Sequence, residues 1–421
     1  MSTKIFTTAL LAVFAATSAF ADTYEITQWG EKIAPDSEIV NPFYNTGRDT
    51  PHNLGADTYV IKIEGTTAEN PFELKNADGS LSGTAFTGTL IIDGHYIGTR
   101  SGSGWGGAHL TIRDNSSFTI NGRDNNNRFN FWTGSVNIGQ SAKMASEKGM
   151  LFKETPIKSN GELAVTGTNL GESFAFMASN AVFNAGAKLS SVSGRGFSTY
   201  NKTQAASNTI TVNAGVAESA LAVAGEINLA GKTTVNFNAS NAFSTNGNMQ
   251  AKSTFTLVSY SFDALSIIIP AERAKADVVF NSTANNSFGQ IQFWTDSTLT
   301  LNLDAKSFMA FGEFVMDSDA SGSLCTVIVN NLSDSSKTFF ISDKIYEAIE
   351  YGTAVLKDSN GNDLSYIATK ASDEDFAMTG LDSELGGGYW LAVNSVVPEP
   401  ATYAAIFGLA ALGFALYRRR R

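Results

Sequence analysis

Residues 225–248 read GEINLAGKTTVNFNASNAFSTNGN. Ile227 and Leu229 alternate with polar neighbours, a period of two that turns one face of a strand inward and the other outward. Short strands follow one another closely here, and asparagine and glycine mark the corners between them, the residues that suit tight or left-handed turns. Closely spaced strands with polar corners predict a coil. Each turn of such a coil hydrogen-bonds to the turns above and below, its corners stay polar, and its interior collects Val, Ile, Leu and Phe.

The same grammar extends outward in both directions. TYVIKIEG, GTLIIDG, HLTIRDNSSFTING, GELAVTG, NTITVNAG, STFTLVSY, DVVFNST, STLTLNLDAKS and CTVIVNN all fall within residues 58–341. Ile210 with Val212, and Leu299 with Leu301 and Leu303, repeat the alternation. In several places the segments recur at intervals of roughly 18–27 residues, a scale that suggests stacked repeats. FWTGSVNIG (131–139) and FWTDSTLTLN (293–302) share Phe-Trp-Thr-x-Ser before an alternating strand, an internal echo. The expected fold is mostly β, a right-handed parallel β-solenoid over 58–341, and a dozen coils about 4.8 Å apart would make a rod of roughly 60 Å. The alternative is one or two β-sandwich domains, which also space strands regularly between turns.

The flanks differ. Residues 22–57 hold three prolines and little alternation, and are expected to form an N-terminal cap or arm over an open strand edge. Ile345 and Ile349 stand four apart in SDKIYEAIEY (342–351), ahead of Gly352, which predicts a helix. YWLAVNSV (389–396) predicts a strand, and 342–396 is expected to be a C-terminal cap.

Composition narrows the partners. The 421-residue chain has 38 Gly, 29 Phe, 8 Pro and only 16% charged residues. Setting aside Lys4, Glu399 and Arg418 to Arg421 leaves 24 basic against 39 acidic residues, a net of −15. That balance disfavours nucleic acid, which needs clustered Lys and Arg, and equally disfavours anionic headgroups. Cys325, the single cysteine, lies in the apolar run LCTVIV and is read as a buried small hydrophobe.

Both ends read as addresses. MSTKIFTTALLAVFAATSAFA (1–21) has Lys4, an apolar stretch and an Ala19-Phe20-Ala21 site, the pattern of a secretory signal peptide cut between Ala21 and Asp22. At the other end Pro398-Glu399-Pro400 breaks secondary structure. Residues 401–417 carry no charge and Arg418, Arg419, Arg420 and Arg421 follow. Seventeen residues make a helix of about 26 Å, near the short limit for crossing a membrane. The arginine cluster would stop transfer and stay cytoplasmic, so a single C-terminal transmembrane helix is expected.

Val397-Pro398-Glu399-Pro400, the apolar stretch and the arginines resemble, in that order, the PEP-CTERM sorting signal of bacterial envelope proteins. The resemblance covers 397–421. It implies an exosortase as processing partner, with the secretion translocon before it, and bacteria that make exopolysaccharide. On that basis the helix tethers an intermediate at the inner membrane, and the product goes to the cell envelope, surface or extracellular matrix. The passenger region is similar in rhythm and composition to autotransporter-type β-helix passengers.

Few residues suggest chemistry. Gly102-Ser103-Gly104-Trp105-Gly106-Gly107 satisfies G-x-G-x-x-G, but a strand pattern follows where a dinucleotide site needs a helix, so a flexible turn is expected. Asp317, Asp319 and Ser321 before Gly322 begin like an EF-hand loop, yet Ile328 stands where the bidentate Glu is required. Asp358 to Asp363 offers oxygen ligands but reads as a turn around Asn360-Gly361. His52, His95 and His109 form no zinc spacing. Asp93, Arg113, Asp114, Arg123 and Asp124 are the densest charged patch. Paired carboxylates there, at about 5–10 Å, would serve a glycosidase or lyase, and Trp105, Trp132 and Trp294 would stack on sugar rings, although core packing is the default for aromatics. The leading expectation is a structural, adhesive or matrix-associated envelope protein that is not an enzyme and uses no cofactor or metal. The alternative is a polysaccharide-degrading or carbohydrate-binding solenoid, with extracellular polysaccharide as partner.

Overall fold

The structure, a computed structural model, describes residues 21–44, 52–75, 86–100, 104–122, 128–167, 172–192, 195–200, 206–213, 221–245, 248–258, 276–294, 297–317, 323–334 and 337–394. The signal-peptide residues before Ala21, including Ala19, and the tail with Val397 to Pro400 and Arg418 to Arg421 lie outside this set. So do Arg123, Asp124, Asp319, Ser321 and Gly322. No helix among the described residues is long and apolar enough to cross a membrane, and the expected transmembrane stretch, residues 401–417, lies outside them.

Three long sheets form the body. Sheet 1 has 13 strands and runs in chain order from Thr23–Ile26 to Ala354–Lys357, parallel at every pairing. Sheet 2 has nine strands, from Phe72–Leu74 to the antiparallel Asn248–Met249. Sheet 3 has 12, from Gly104–Gly106 to an antiparallel end in which Gly388–Val393 joins Phe339–Ser342 to Tyr366–Lys370. A single coil shows the path. Ala108–Ile112 lies in sheet 1, Ser117–Gly122 in sheet 2 and Arg128–Trp132 in sheet 3; Ser135–Ile138 then returns beside Ala108–Ile112. This is a mostly β chain of long parallel sheets, consistent with the solenoid reading. The parallel ladder begins at Thr23 and its last rung joins Ile328 to Lys357.

Alternation decides what fills the coil. Leu90, Leu110, Val136, Ile157, Ala181, Ile210, Val235, Phe280, Leu301 and Val329 share one register row of sheet 1 and are all buried. Each large member contributes roughly 1.5–3 kcal/mol by leaving water. The two FWT segments are equivalent in space. Phe131 pairs through Phe152 and Phe176 to Thr199, and Phe293 through Leu257 to Leu229; Thr199 and Leu229 directly follow the paired Ser198 and Asn228, which aligns the two sets in sheet 3.

Asparagine ladders support the corners. Asn184 donates to Asn160 (2.7 Å), Asn213 to Asn184 (3.1 Å) and Asn238 to Asn213 (2.8 Å). A second ladder joins Asn281 to Asn236 (2.7 Å), Asn302 to Asn281 (2.6 Å) and Asn330 to Asn302 (2.8 Å).

At the C-terminal end, helix α1 (Asp343–Glu350) starts at Ser342, whose hydroxyl accepts from the Ile345 amide, and Ile345 is fully buried. Helix α2 (Asp373–Thr379), which alternation in the sequence does not announce, opens with a capping box between Ser372 and Asp375 and ends at Gly380 in the left-handed region. Cys325 is buried, and burial pushes its thiol up to about 11.

Candidate functional site: the corner between sheets 1 and 2

Successive coils turn from sheet 1 into sheet 2 through Asp93-Gly94, Asp114-Asn115, Gln140-Ser141, Asn160-Gly161 and Ala185-Gly186. Asn115 (φ 59°), Ser141 (φ 54°) and Gly186 (φ 84°) take left-handed backbone there, which bends the chain sharply enough to leave polar side chains standing on both flanks. A cleft of about 600 Å³ opens on the sheet-1 flank, with Asp93, Thr111, Arg113, Asp114, Asn137 and Lys158 on its walls. A second, of about 710 Å³, opens on the sheet-2 flank beside His95, Ser117, Thr119, Lys143, Glu162 and Lys188. Asn160 lines both, so the two meet across the corner.

The charges are partly committed. Arg113 Nη1 donates to Asp93 Oδ2 at 2.6 Å. Asp114 Oδ1 accepts from the Gln140 amide at 2.7 Å. Lys143 pairs with Glu162 at 3.2 Å, and Ser190 donates to the same carboxylate at 3.1 Å. His95 Nδ1 and Ser117 Oγ lie 2.9 Å apart. Lys158 and Lys188 have no carboxylate partner among the described residues. The surrounding coils differ in sign from the rest. Residues 86–200 carry ten Lys and Arg against seven Asp and Glu, whereas 22–85 and 201–396 are net −7 and −11.

The structure therefore gathers Asp93, Arg113 and Asp114 on one flank. Trp105 is 2% exposed and packs against Phe118, Phe129 and Phe131. It is a core residue and has no face to offer a sugar, so at that position the default of core packing holds and the stacking alternative does not. Trp132 and Trp294 are half-buried. Gly104–Gly106 is a strand paired with Asn130–Trp132, so the described part of the glycine-rich run is sheet and not flexible turn, because sheet 3 needs a first strand there. Asp358 folds its own loop. Its Oδ1 accepts from the amides of Asn360 (2.8 Å) and Asn362 (2.9 Å), and these bonds, the Asn362 amide foremost, hold its carboxyl below the usual carboxylate range. Among the described residues no group of three or more His, Cys, Asp or Glu is placed to hold a metal ion. Ala21 and Asp22 are exposed at the start of the described chain.

Lys158, Lys188, Asn160 and the His95–Ser117 pair were not singled out by sequence reasoning. Lys143, Glu162 and Lys188 are register neighbours, a recurrence of charge visible only after the coils are aligned.

Residues 396–421 match the family described as the PEP-CTERM protein-sorting motif. The motif implies export and sorting to the envelope or surface, with an exosortase as processing partner. No curated protein matches the chain, and no solved structure matches it.

Proposed function

We propose that this chain is a structural rod of the bacterial cell envelope. Its leader, residues 1–21, directs export; the tail crosses the inner membrane at 401–417 until an exosortase reads Val397 to Pro400; and the coil then serves in surface architecture, adhesion or the extracellular matrix, without catalysis. The sorting match at 396–421 carries this reading. The parallel ladder from Thr23 to Lys357 supports it, because a continuously hydrogen-bonded stack is a stiff spacer. We take the coil as right-handed, the sense that strand twist favours for parallel crossovers. Asp93 and Asp114, the carboxylates best placed for glycosidic chemistry, are held by Arg113 and by the Gln140 amide, which favours a non-catalytic role. Deleting 398–421 tests the sorting claim. The truncated protein should be released or mislocalised, and unchanged surface retention would overturn it.

A second reading is favoured by the corner cleft. There the uncommitted cations are Lys158 and Lys188, flanked by amides and hydroxyls, which suits an acidic sugar chain. Purified protein should bind a polyuronate several-fold more tightly than neutral dextran, and the Lys158→Gln, Lys188→Gln double variant should lose that preference. Equal binding to both polymers would exclude this reading.

A further inference from the structure

The backbone nitrogen of Asp22 lies 3.0 Å from Asp57 Oδ1. The Asp22 carboxylate accepts from the Tyr24 hydroxyl at 3.1 Å, and its carbonyl accepts from the Thr58 amide at 2.9 Å. Neither Asp22 nor Asp57 has a cationic partner among the described residues. The cation nearest along these strands, Lys62, pairs with Glu25 at 3.8 Å. The nitrogen of residue 22 thus faces the Asp57 carboxylate, with its own residue's carboxylate, Tyr24 and Tyr59 close by. Both phenols feel that charge. Tyr24 is held above the usual phenol range first by its hydrogen bond to Asp22, and Tyr59 by burial and then by Asp57.

A peptide N–H is neutral and exploits such a site weakly. We propose that Asp57 is the receptor for the amino terminus created by cutting after Ala21, and that this cut locks Thr23–Ile26 onto the coil. The proposal rests on the leader reading. Hydrolysis adds water across the Ala21–Asp22 bond. Ala21 leaves as a carboxylate on the leader, and Asp22 keeps the nitrogen as an ammonium, so charge balances. Before the cut, two carboxylates repel across an uncharged N–H. After it, a cation stands within hydrogen-bond distance of Asp57 and next to its own Asp22 carboxylate.

The strand concerned is the first of sheet 1 and pairs only with His52–Ile61. It places Ile26, fully buried, over the end of the core, and the Thr27 amide continues to the Ile33 carbonyl at 2.8 Å. Fastening it covers the edge of the ten-residue strand His52–Ile61 and leaves a four-residue edge in its place, a poorer template for recruiting other chains. Closure would then be completed only on the exported side of the membrane, after the leader is gone.

The sign with pH follows from the charge. An α-amino group titrates at about 7.7–8.0 in an open chain, and carboxylates beside it raise that value in the folded protein. While the carboxylates are ionised, the stabilisation is therefore complete below about pH 7.7 and disappears as pH rises through the raised value.

The test uses exported, processed protein whose N-terminus is read by intact mass. In it, Asp57→Asn should speed amide exchange of Thr23–Ile26 by about threefold at pH 7, the size expected for an exposed pair, and Asp57→Glu should restore protection. With the leader retained by Ala19→Leu and Ala21→Leu, Asp57→Asn should change little. Equal acceleration in both forms, with Asp22 confirmed as first residue, overturns the lock alone. A mature mass beginning elsewhere than Asp22 overturns the leader reading and the lock together.

Discussion

Two stretches of the coil solve the same packing problem differently. Between Ala108 and Val258 each turn visits three sheets with short strands, such as Ser135–Ile138, Lys143–Ser146 and Gly149–Lys153. Their interior is a column of rings. Phe131 stacks on Phe152 at 5.2 Å and 6°, and Phe152 on Phe176 at 5.5 Å and 18°. From Asp277 onward sheet 2 has ended and the chain passes between sheets 1 and 3 alone, with sheet-3 strands of eight residues, Asn286–Phe293 and Met309–Met316. Two facing sheets enclose less width than three, so the rings crowd. Phe288 meets Phe237, Phe255, Phe280 and Phe311 at 5.0–5.4 Å. A coil can lose a side without losing its ladder, provided the corner is rebuilt.

The difference in crowding should be measurable. Phe288→Ala and Phe152→Ala each remove a fully buried ring, at about 3–5 kcal/mol, and Phe288 should stand at the upper end because four rings surround it. Thermal midpoints of the two variants compare them directly. A Phe152 variant as damaged as the Phe288 variant would mean that the stacked column and the crowded cluster are energetically alike.

The rebuilt corner is Asn286, fully buried. Its Oδ1 accepts from the Asn241 amide (2.9 Å) and Gln250 Nε2 (3.1 Å), and its Nδ2 reaches Ser282 Oγ (2.9 Å) and the carbonyls of Ala284 and Ala239. Asn286→Ala strands the Asn241 and Gln250 donors. It should cost about 2–3 kcal/mol, since each unsatisfied buried group costs about 1–3, with exchange rising first around 241–250. Uniform loosening along the whole rod would show that Asn286 does not mark the change from three sheets to two.

Much of this architecture was open to reading. Alternation at Ile227 and Leu229 located inward faces, and the Phe-Trp-Thr echo picked out two buried rings, Phe131 and Phe293, in equivalent strands of sheet 3, although Thr199, Leu229 and Leu257 show that the position does not demand a ring. The end of sheet 2 was not readable, since Asn286 and Gln250 look like turn residues until their partners are known. The corner cleft was half readable. Asp93, Arg113 and Asp114 sit close in sequence. Lys158 and Lys188 belong to later coils of unequal length, and unequal coils hide vertical neighbours. Trp105 follows the default for aromatics into the core, and Gly104 beside it lets the strand approach Asn130 closely.

The smallest effect concerns the turn from sheet 3 back to sheet 1, which takes only one to three residues after Gly106, Trp132, Lys153, Met177 and Ala230. Gly107 (φ 73°), Thr133 (φ 53°), Glu154 (φ 50°), Ala178 (φ 50°) and Gly231 (φ 59°) all follow the last sheet-3 residue and take left-handed backbone. The amides of Thr133 and Glu154 continue the ladder to Lys153 and Met177 at 3.1 and 2.8 Å, so the ladder itself imposes the conformation. A β-branched residue tolerates it poorly, at roughly 1–2 kcal/mol. Thr133 is exposed, so little packing is lost with its side chain. Thr133→Gly should therefore raise stability by about 0.5–1 kcal/mol after the extra chain entropy of glycine is counted, read as a higher urea midpoint. A lower midpoint would mean that the threonine side chain contributes more to this corner than its backbone costs, and strain would then not distinguish the three-sheet coils from the two-sheet ones.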